Sequence, residues 1–358
     1  MRHADKLSHW LPQLLPGAGP CAQAAGTALV RSLLAGFTTD LTHLARQVPR
    51  DTTVKSRRQQ LDRWLDRLGW DPTAIYRGFY RTAGTLLPPE GDVLLLGDFT
   101  ELERSWQVLQ VSFPWEQRAL PLYRAVRPYK EPELRQREML REMLDFLQEH
   151  LPGPRSRYVL VMDRGFPGHW LVKELQARGF RFVLRVTRRW KVTHAEYSGP
   201  LTAAHETPGL VGATPRLLRQ ALLGRRGKGA DEWSVTNVVM YQGEGRAEPW
   251  YLITSETDPS AAVAIYRQRW RIEGEFRDIK GLQGIDRLAA WADEGRVARF
   301  LAWVAVYEWR LAVLWREEGL SALPRFFVKY GRLGWLRISQ EWLRHQHRLA
   351  LGQALAPL

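Results

Sequence analysis

Two short apolar runs, each leading straight into an aspartate, limit the fold of this chain most. Val93-Leu94-Leu95-Leu96-Gly97 leads into Asp98, and Arg157 to Met162, apolar from Tyr158 onward, leads into Asp163. Runs this short, bounded by turn formers, are buried strands rather than core helices. Trp106 to Val111 and Ala119 to Val126 predict two more strands, and Arg181 to Val186 another. Glu131 to His150, stopped by Pro152-Gly153-Pro154, and Gly168 to Ala177 predict helices. The order strand, strand, strand, helix, strand, helix, strand predicts an α/β core with a mixed sheet.

The flanks differ in character. Residues 1–87 read as helical, with one helix through Leu41, Leu44, Ala45 and Val48, broken by Pro49 and Asp51. A second runs through Leu61, Trp64, Leu65 and Leu68 to Gly69, and its first turn carries Lys55, Arg57 and Arg58. Two short helices with a basic leading edge fit a helix-turn-helix that touches DNA, and also fit a plain helical hairpin with a solvated basic face. The breaker cluster Leu86 to Gly91 ends this region. Residues 188–256 are rich in Gly, Thr and Pro, with strands near Trp233 to Tyr241 and Trp250 to Thr254, and read as an inserted β-rich segment. Pro259 to about Gly281 predicts one long helix, and Val297 to about Glu317 another. The expected divisions are therefore 1–87, 88–187, 188–256, 257–318 and a short helical tail, 319–358.

Charge narrows the partner. The 358 residues carry a formal net charge of +14, which calls for a polyanionic partner. Ten of the Lys and Arg, against two Glu, fall between 181 and 228. The single cysteine, Cys21, excludes an internal disulfide framework and argues against a cysteine zinc site, in keeping with a reducing cytoplasm. The most apolar long stretch, Phe300 to Trp315, contains Glu308 and Arg310 and is too short to span a bilayer. Asp5 and His9 near the start do not fit a signal peptide. Neither the Gly224-Arg-Arg-Gly-Lys-Gly stretch nor Gly243-Glu-Gly has the spacing of a phosphate or dinucleotide loop.

The chemistry centres on carboxylates. If the two apolar strands are neighbours, Asp98 and Asp163 converge at their carboxyl ends, where open α/β folds build sites. Two such charges repel unless a cation lies between them, and oxygen donors select hard ions such as Mg²⁺ or Mn²⁺. Each Asp alone also fits a turn former or helix N-cap. A continuous helix turns by about 100° per residue. With Tyr266 as the origin, Arg269 then falls at about 300°, Glu273 at about 340° and Lys280 at about 320°, all on one face. Glu275 falls at about 180°, on the opposite face. That stripe suits a carboxylate metal ligand flanked by phosphate-binding cations, and equally a solvated face with ion pairs.

The spacing Tyr-x2-Arg-x3-Glu-x6-Lys, met by Tyr266, Arg269, Glu273 and Lys280, resembles the signature of the DDE transposases of bacterial insertion sequences, in the insertion sequence four family. Arg269-Trp270-Arg271-Ile272-Glu273, Asp163-Arg164-Gly165-Phe166 and Asp98-Phe99-Thr100 look like other motifs of that family, so the likeness covers roughly residues 38–315. The resemblance implies an RNase H-like mixed-sheet core with an inserted β-rich subdomain and an N-terminal helical DNA-binding region. It implies that Asp98, Asp163 and Glu273 are catalytic and hold two Mg²⁺ ions, with Mn²⁺ as a substitute. Tyr266, Arg269 and Lys280 would contact backbone phosphates, joined as DNA contacts by Arg164, Trp270, Lys55, Arg57 and Arg58. The implied activity is cut-and-paste transposition: hydrolysis at the transposon ends, a hairpin intermediate and strand transfer. The implied partners are double-stranded DNA, as terminal inverted repeats and target, and a second copy in a synaptic homodimer, in a bacterial cytoplasm at the nucleoid. One of Trp190, Trp233 and Trp250 would stack on a flipped base, although a packed core position suits each of them as well. The tail after residue 320 is short for a large dimerisation domain. A decayed or repurposed sequence-specific DNA-binding protein is the alternative, against which the three carboxylates stand.

Overall fold

The apolar runs that lead to Asp98 and Asp163 lie side by side, as parallel strands with Leu95 opposite Leu160 and Gly97 opposite Met162. The computed structural model describes residues 11–14, 20–36, 38–48, 51–67, 71–82, 87–88, 90–130, 132–166, 168–225, 233–245, 247–320, 336 and 338–343. Its helices are α1 (Pro20–Gly36), α2 (Leu41–Gln47), α3 (Val54–Arg67), α4 (Thr73–Thr82), α5 (Pro132–His150), α6 (Gly168–Ala177), α7 (Pro259–Arg267), α8 (Trp270–Gln283) and α9 (Glu294–Glu317). The strands are β1 (Val93–Leu102), β2 (Trp106–Trp115), β3 (Arg118–Pro128), β4 (Tyr158–Met162), β5 (Arg181–Arg185), β6 (Trp190–His194), β7 (Tyr197–Pro200), β8 (Arg216–Arg225), β9 (Ser234–Tyr241) and β10 (Trp250–Thr254). This is the mixed α/β class the sequence predicts. The chain divides into two units, Leu87–Asp98 with Leu144–Trp270, and Met1–Leu86 with Phe99–Met143 and Arg271–Leu358.

In the first of these units the strand order is β1-β4-β5-β10-β9-β8-β6-β7. β1, β4 and β5 are parallel, and every later pairing is antiparallel. All five residues of β4 are buried, the burial its unbroken apolar run foretells. Parallel neighbours need a crossover, and α6 lies in the one between β4 and β5. The β-rich segment continues this sheet: β10 bonds directly to β5, Ile253 opposite Leu184. At Gly97 a Cβ would lie 2.4 Å from the Met162 Cε, so a side chain there would make the end of that methionine shift.

The other unit is built on α9. Sixteen residues of α9 are buried, Glu308 and Arg310 among them, because it is enclosed on all sides. Trp309 stacks on Phe79 of α4 with centroids 4.7 Å apart, and its Nε1 donates to the Pro121 carbonyl of β3 at 2.6 Å. Arg296 of α9 ties down α3 through Asp66, 3.0 Å away, and Asp62. The most constrained polar group is Arg124 of β3, wholly buried between Glu275 of α8, at 3.1 Å, and Glu308, at 2.8 Å. Among the described residues no helix is long and apolar enough to cross a membrane.

Two expectations change. The single helix expected from Pro259 to Gly281 is two, α7 and α8. The amides of Gln268 and Arg269 bond back to the carbonyls of Ile265 and Tyr266, both at 3.0 Å, and these i to i+3 bonds close α7 before α8 begins. The four signature residues therefore do not share one helix: Tyr266 is on α7, Arg269 in the turn, and Glu273 and Lys280 on α8. Asp98 does not follow its strand but lies within it. β1 outruns β4 and continues to a tight turn at Glu103 and Arg104, both with positive φ, from which β2 departs. The helix stop at Leu68 and Gly69, part of the breaker cluster (Leu86 and Pro89), the stretch Arg226 to Gly229, and most of the tail at 319–358, with His345 and His347, lie outside the described residues.

The Arg124 cluster sets up a stability test. Burial, then the Glu308 charge, push the Glu275 carboxyl well above the usual carboxylate range, against the pull of Arg124, Gln110 and Ser112. Burial raises Glu308 too, opposed by Arg124. A carboxyl raised on folding contributes fully below its unfolded pKa, about 4.3, and loses that contribution as pH rises toward the folded value. Glu275→Gln copies the protonated form, so it should change stability by less than about 1 kcal/mol at pH 5 and gain on the parent as pH rises to 8. Arg124→Met, which strands a buried charge, should cost about 3–5 kcal/mol. Urea unfolding of both variants at the two pH values checks this; equal losses would refute it.

Candidate active site

Parallel pairing carries Asp98 level with Asp163, one residue beyond the last paired positions. The two carboxylates share one guanidinium. Arg269, in the turn after α7, places Nη1 3.2 Å from the Asp98 Oδ2 and Nη2 3.5 Å from the Asp163 Oδ2. The Tyr266 hydroxyl donates to the Asp163 Oδ1 at 2.8 Å, and Arg185, the last residue of β5, approaches the same oxygen at 3.8 Å. Burial pushes the Asp163 carboxyl up, but Arg269, the Arg164 amide, Tyr266 and Arg185 together outweigh it and hold the group below its ordinary value. Burial, then the Asp163 charge, push the Tyr266 hydroxyl well up, so it stays protonated and donates. The buried Trp250 packs edge-on against the Tyr266 ring, 4.8 Å between centroids, and fixes its direction.

Two aspartates that share the Arg269 guanidinium form an oxygen donor pair, the chemistry that suits Mg²⁺ or Mn²⁺. Among the described residues, no group of three or more His, Cys, Asp or Glu is close enough to hold a metal ion. Beside Asp163 opens a cavity of about 460 Å³ lined by Arg164, Arg185, Arg188, Arg189, His205 and Tyr251 among others. Among the described residues that line it, Glu248 is the one acid, 3.0 Å from Arg164 and 3.6 Å from Arg185. Such a wall of guanidinium groups attracts phosphate. The sequence did not single out Arg185, although it lies within the strand predicted from Arg181 to Val186 and ends the observed β5.

The remaining expected residues are placed as follows. Glu273 is exposed on α8, and Glu275 is buried on the opposite face, as the helical arc required. The Lys280 Nζ donates to the Glu101 carbonyl at 2.6 Å and lies 3.5 Å from Asp286. Trp270, at the head of α8, is 47% exposed. Lys55 and Arg58 are exposed on α3, whereas Arg57 folds back to the Val48 and Arg46 carbonyls at the end of α2, at 2.9 and 3.3 Å. Of the three insertion tryptophans, Trp250 is core, and Trp190 and Trp233 are half-buried. The structure thus brings Asp98, Asp163, Tyr266 and Arg269 together in one unit, with Arg164 close by. Glu273, Lys280 and the N-terminal basic residues belong to the other unit.

Compared with known families, residues 126–309, just over half of the chain, match the Transposase DDE domain. That span includes Asp163, Tyr266, Arg269, Glu273 and Lys280 and leaves Asp98 outside. Among solved structures, the cryo-EM structure of the piggyBac transposase synaptic complex with hairpin DNA matches at 10% identity and a TM-score of 0.44, over 91% of this chain and 72% of that one. No curated protein matches the sequence.

Removing the shared guanidinium has a signed consequence. A carboxyl depressed on folding contributes stability above its unfolded pKa and loses it as pH falls through the folded value. Arg269→Gln should therefore cost about 1–3 kcal/mol at neutral pH, with the deficit shrinking as pH falls below about 4. Thermal unfolding of parent and variant from pH 7 to pH 3 measures it; a deficit that widens in acid would refute the pairing.

Proposed function

Because this chain belongs to the Transposase DDE domain family, we propose that it is a DNA transposase of the cut-and-paste kind. The observation that carries the reading is the meeting on Arg269, a residue of the family signature, of Asp98 in one strand and Asp163 just past the end of its parallel neighbour. Asp98, Asp163 and Glu273 would hold two divalent ions, Mg²⁺ with Mn²⁺ as substitute. When bound, such ions activate a water and stabilise a leaving 3′ oxygen in phosphodiester hydrolysis.

The chain's own groups do the rest. Arg269, Lys280 and Tyr266 hold backbone phosphates of the transposon end, and Arg164 and Arg185 continue that contact into the basic cavity. Trp270, large, flat and exposed, offers a stacking face, and Lys55 and Arg58 extend the contact to flanking duplex. Holding the scissile phosphate among fixed positive groups supplies orientation and charge neutralisation, the main contributions a protein makes to phosphoryl transfer. The substrates are double-stranded DNA, the terminal inverted repeats and then the target, with a hairpin intermediate on the excised end. A homodimer would bring two ends together, at the nucleoid of a bacterial cytoplasm. The rival reading is a DNA-binding protein that no longer cuts.

Asp98→Asn and Asp163→Asn should each abolish Mg²⁺-dependent nicking of duplexes bearing the inverted repeats that flank the coding region, while binding persists in a gel-shift assay. Retained nicking removes that residue from the site, and a parent that binds without excising in Mn²⁺ establishes the rival reading. Arg269→Ala should weaken end binding and reduce the slope of log affinity against log salt by about one; an unchanged slope counts against its phosphate contact.

A further inference from the structure

α8 carries acidic residues on opposite faces. Glu273 is exposed, while Glu275 is 3% exposed and accepts three hydrogen bonds from the sheet beneath it. Gln110 Nε2 reaches its Oε1 at 2.7 Å, Arg124 Nη2 the same oxygen at 3.1 Å, and Ser112 Oγ its Oε2 at 3.1 Å. Gln110, Ser112 and Arg124 are themselves buried, and Arg124 is braced on α9 by Glu308 and by the Leu301 carbonyl at 3.2 Å. A second clamp stands beside it. Arg118 Nε lies 2.8 Å from the Asp278 Oδ2, three residues further along α8. The arginine passes over Gly274, where a Cβ would lie 2.8 Å from its Cδ.

Apolar packing tolerates small rotations of a helix, but bonds from three directions onto one carboxyl do not. A buried cluster of this kind is a poor source of stability, since apolar replacements are often neutral or better. Its use lies in geometry. With a carboxylate about 6 Å from the helix axis, a rotation of about 20° carries it about 2 Å.

We propose that Glu275 is a positioning residue: held by Gln110, Ser112 and Arg124, it sets the rotation of α8 and so the place at which Glu273 and Lys280 are presented. The inference rests on the transposase reading of Glu273. Its test uses the full chain and duplexes bearing the flanking inverted repeats. Single-turnover cleavage is measured in Mg²⁺, end affinity by anisotropy, and α8 protection by hydrogen exchange. Glu275→Leu should slow cleavage about a hundred-fold, the cost of misplacing a reacting group by about 1 Å. End affinity should change less than about two-fold and α8 should stay protected. Glu275→Gln, whose carbonyl keeps the two bonds to Oε1 and whose amide can donate to the Ser112 Oγ in place of the third, should restore the rate to within about two-fold. Ser112→Ala, which removes one of the three bonds to Glu275 and the bond from Gln110 to the serine, should fall between them and carries the test if Glu275→Leu does not fold. Parental rates in Glu275→Leu or Ser112→Ala would overturn the proposal. So would a Glu275→Gln rate as low as that of Glu275→Leu, or an affinity loss as large as the rate loss. A parent that binds ends but never cleaves overturns the transposase reading itself, and the positioning role with it.

Discussion

The in-register pairing of β1 with β4 is the constraint on which the rest depends. These apolar strands pair in parallel, Gly97 opposite Met162, and that register leaves Asp98 and Asp163 side by side just beyond the last paired positions. Two carboxylates so placed demand a counter-charge. Arg269 supplies it, from a turn that closes α7 and starts α8, while Tyr266 and Arg185 complete the ring of donors around Asp163. Gly97 leaves room for the end of the Met162 side chain, which a Cβ there would displace.

The chain uses charge in two physically different ways. Around Asp163 the groups are partly exposed, and the surplus is positive: Arg164, Arg185, Arg188 and Arg189 face a single acid, Glu248, across the cavity. Such a surface recruits a polyanion and remains open to exchange its partners. Around Arg124 the groups are desolvated and the surplus is acidic, two carboxyls to one guanidinium. There the low dielectric makes every missing bond costly, so the cluster specifies a geometry rather than binding anything.

Much of this was legible in the sequence, for identifiable reasons. β4, α6 and β10 are marked by their length, their flanking breakers and their apolar pattern, and their expected limits agree with the observed ones to within a residue. The place of Glu275 on the face opposite Glu273 followed from helical arithmetic alone, but its burial did not. The break between α7 and α8 was not legible. Arg267, Gln268 and Arg269 are all good helix formers, and only the bonds closing back onto Ile265 and Tyr266 end the helix there. The extension of β1 past Asp98 was hidden as well, because its turn uses Glu103 and Arg104 in a backbone conformation that ordinarily signals itself through glycine or asparagine.

By itself, the sequence determined the class of the fold, the strands that lead to the two aspartates and the spacing of the Tyr, Arg, Glu and Lys signature, since all of these rest on local periodicity and residue chemistry. Only the tertiary structure decided that β1 and β4 are neighbours in that register, that Arg269 is the cation their aspartates share, and that Arg185 joins them. It also decided that Glu275 is gripped by residues more than 150 positions away. Strand pairing and the burial of charge depend on what the rest of the chain places alongside, and no local pattern carries that information.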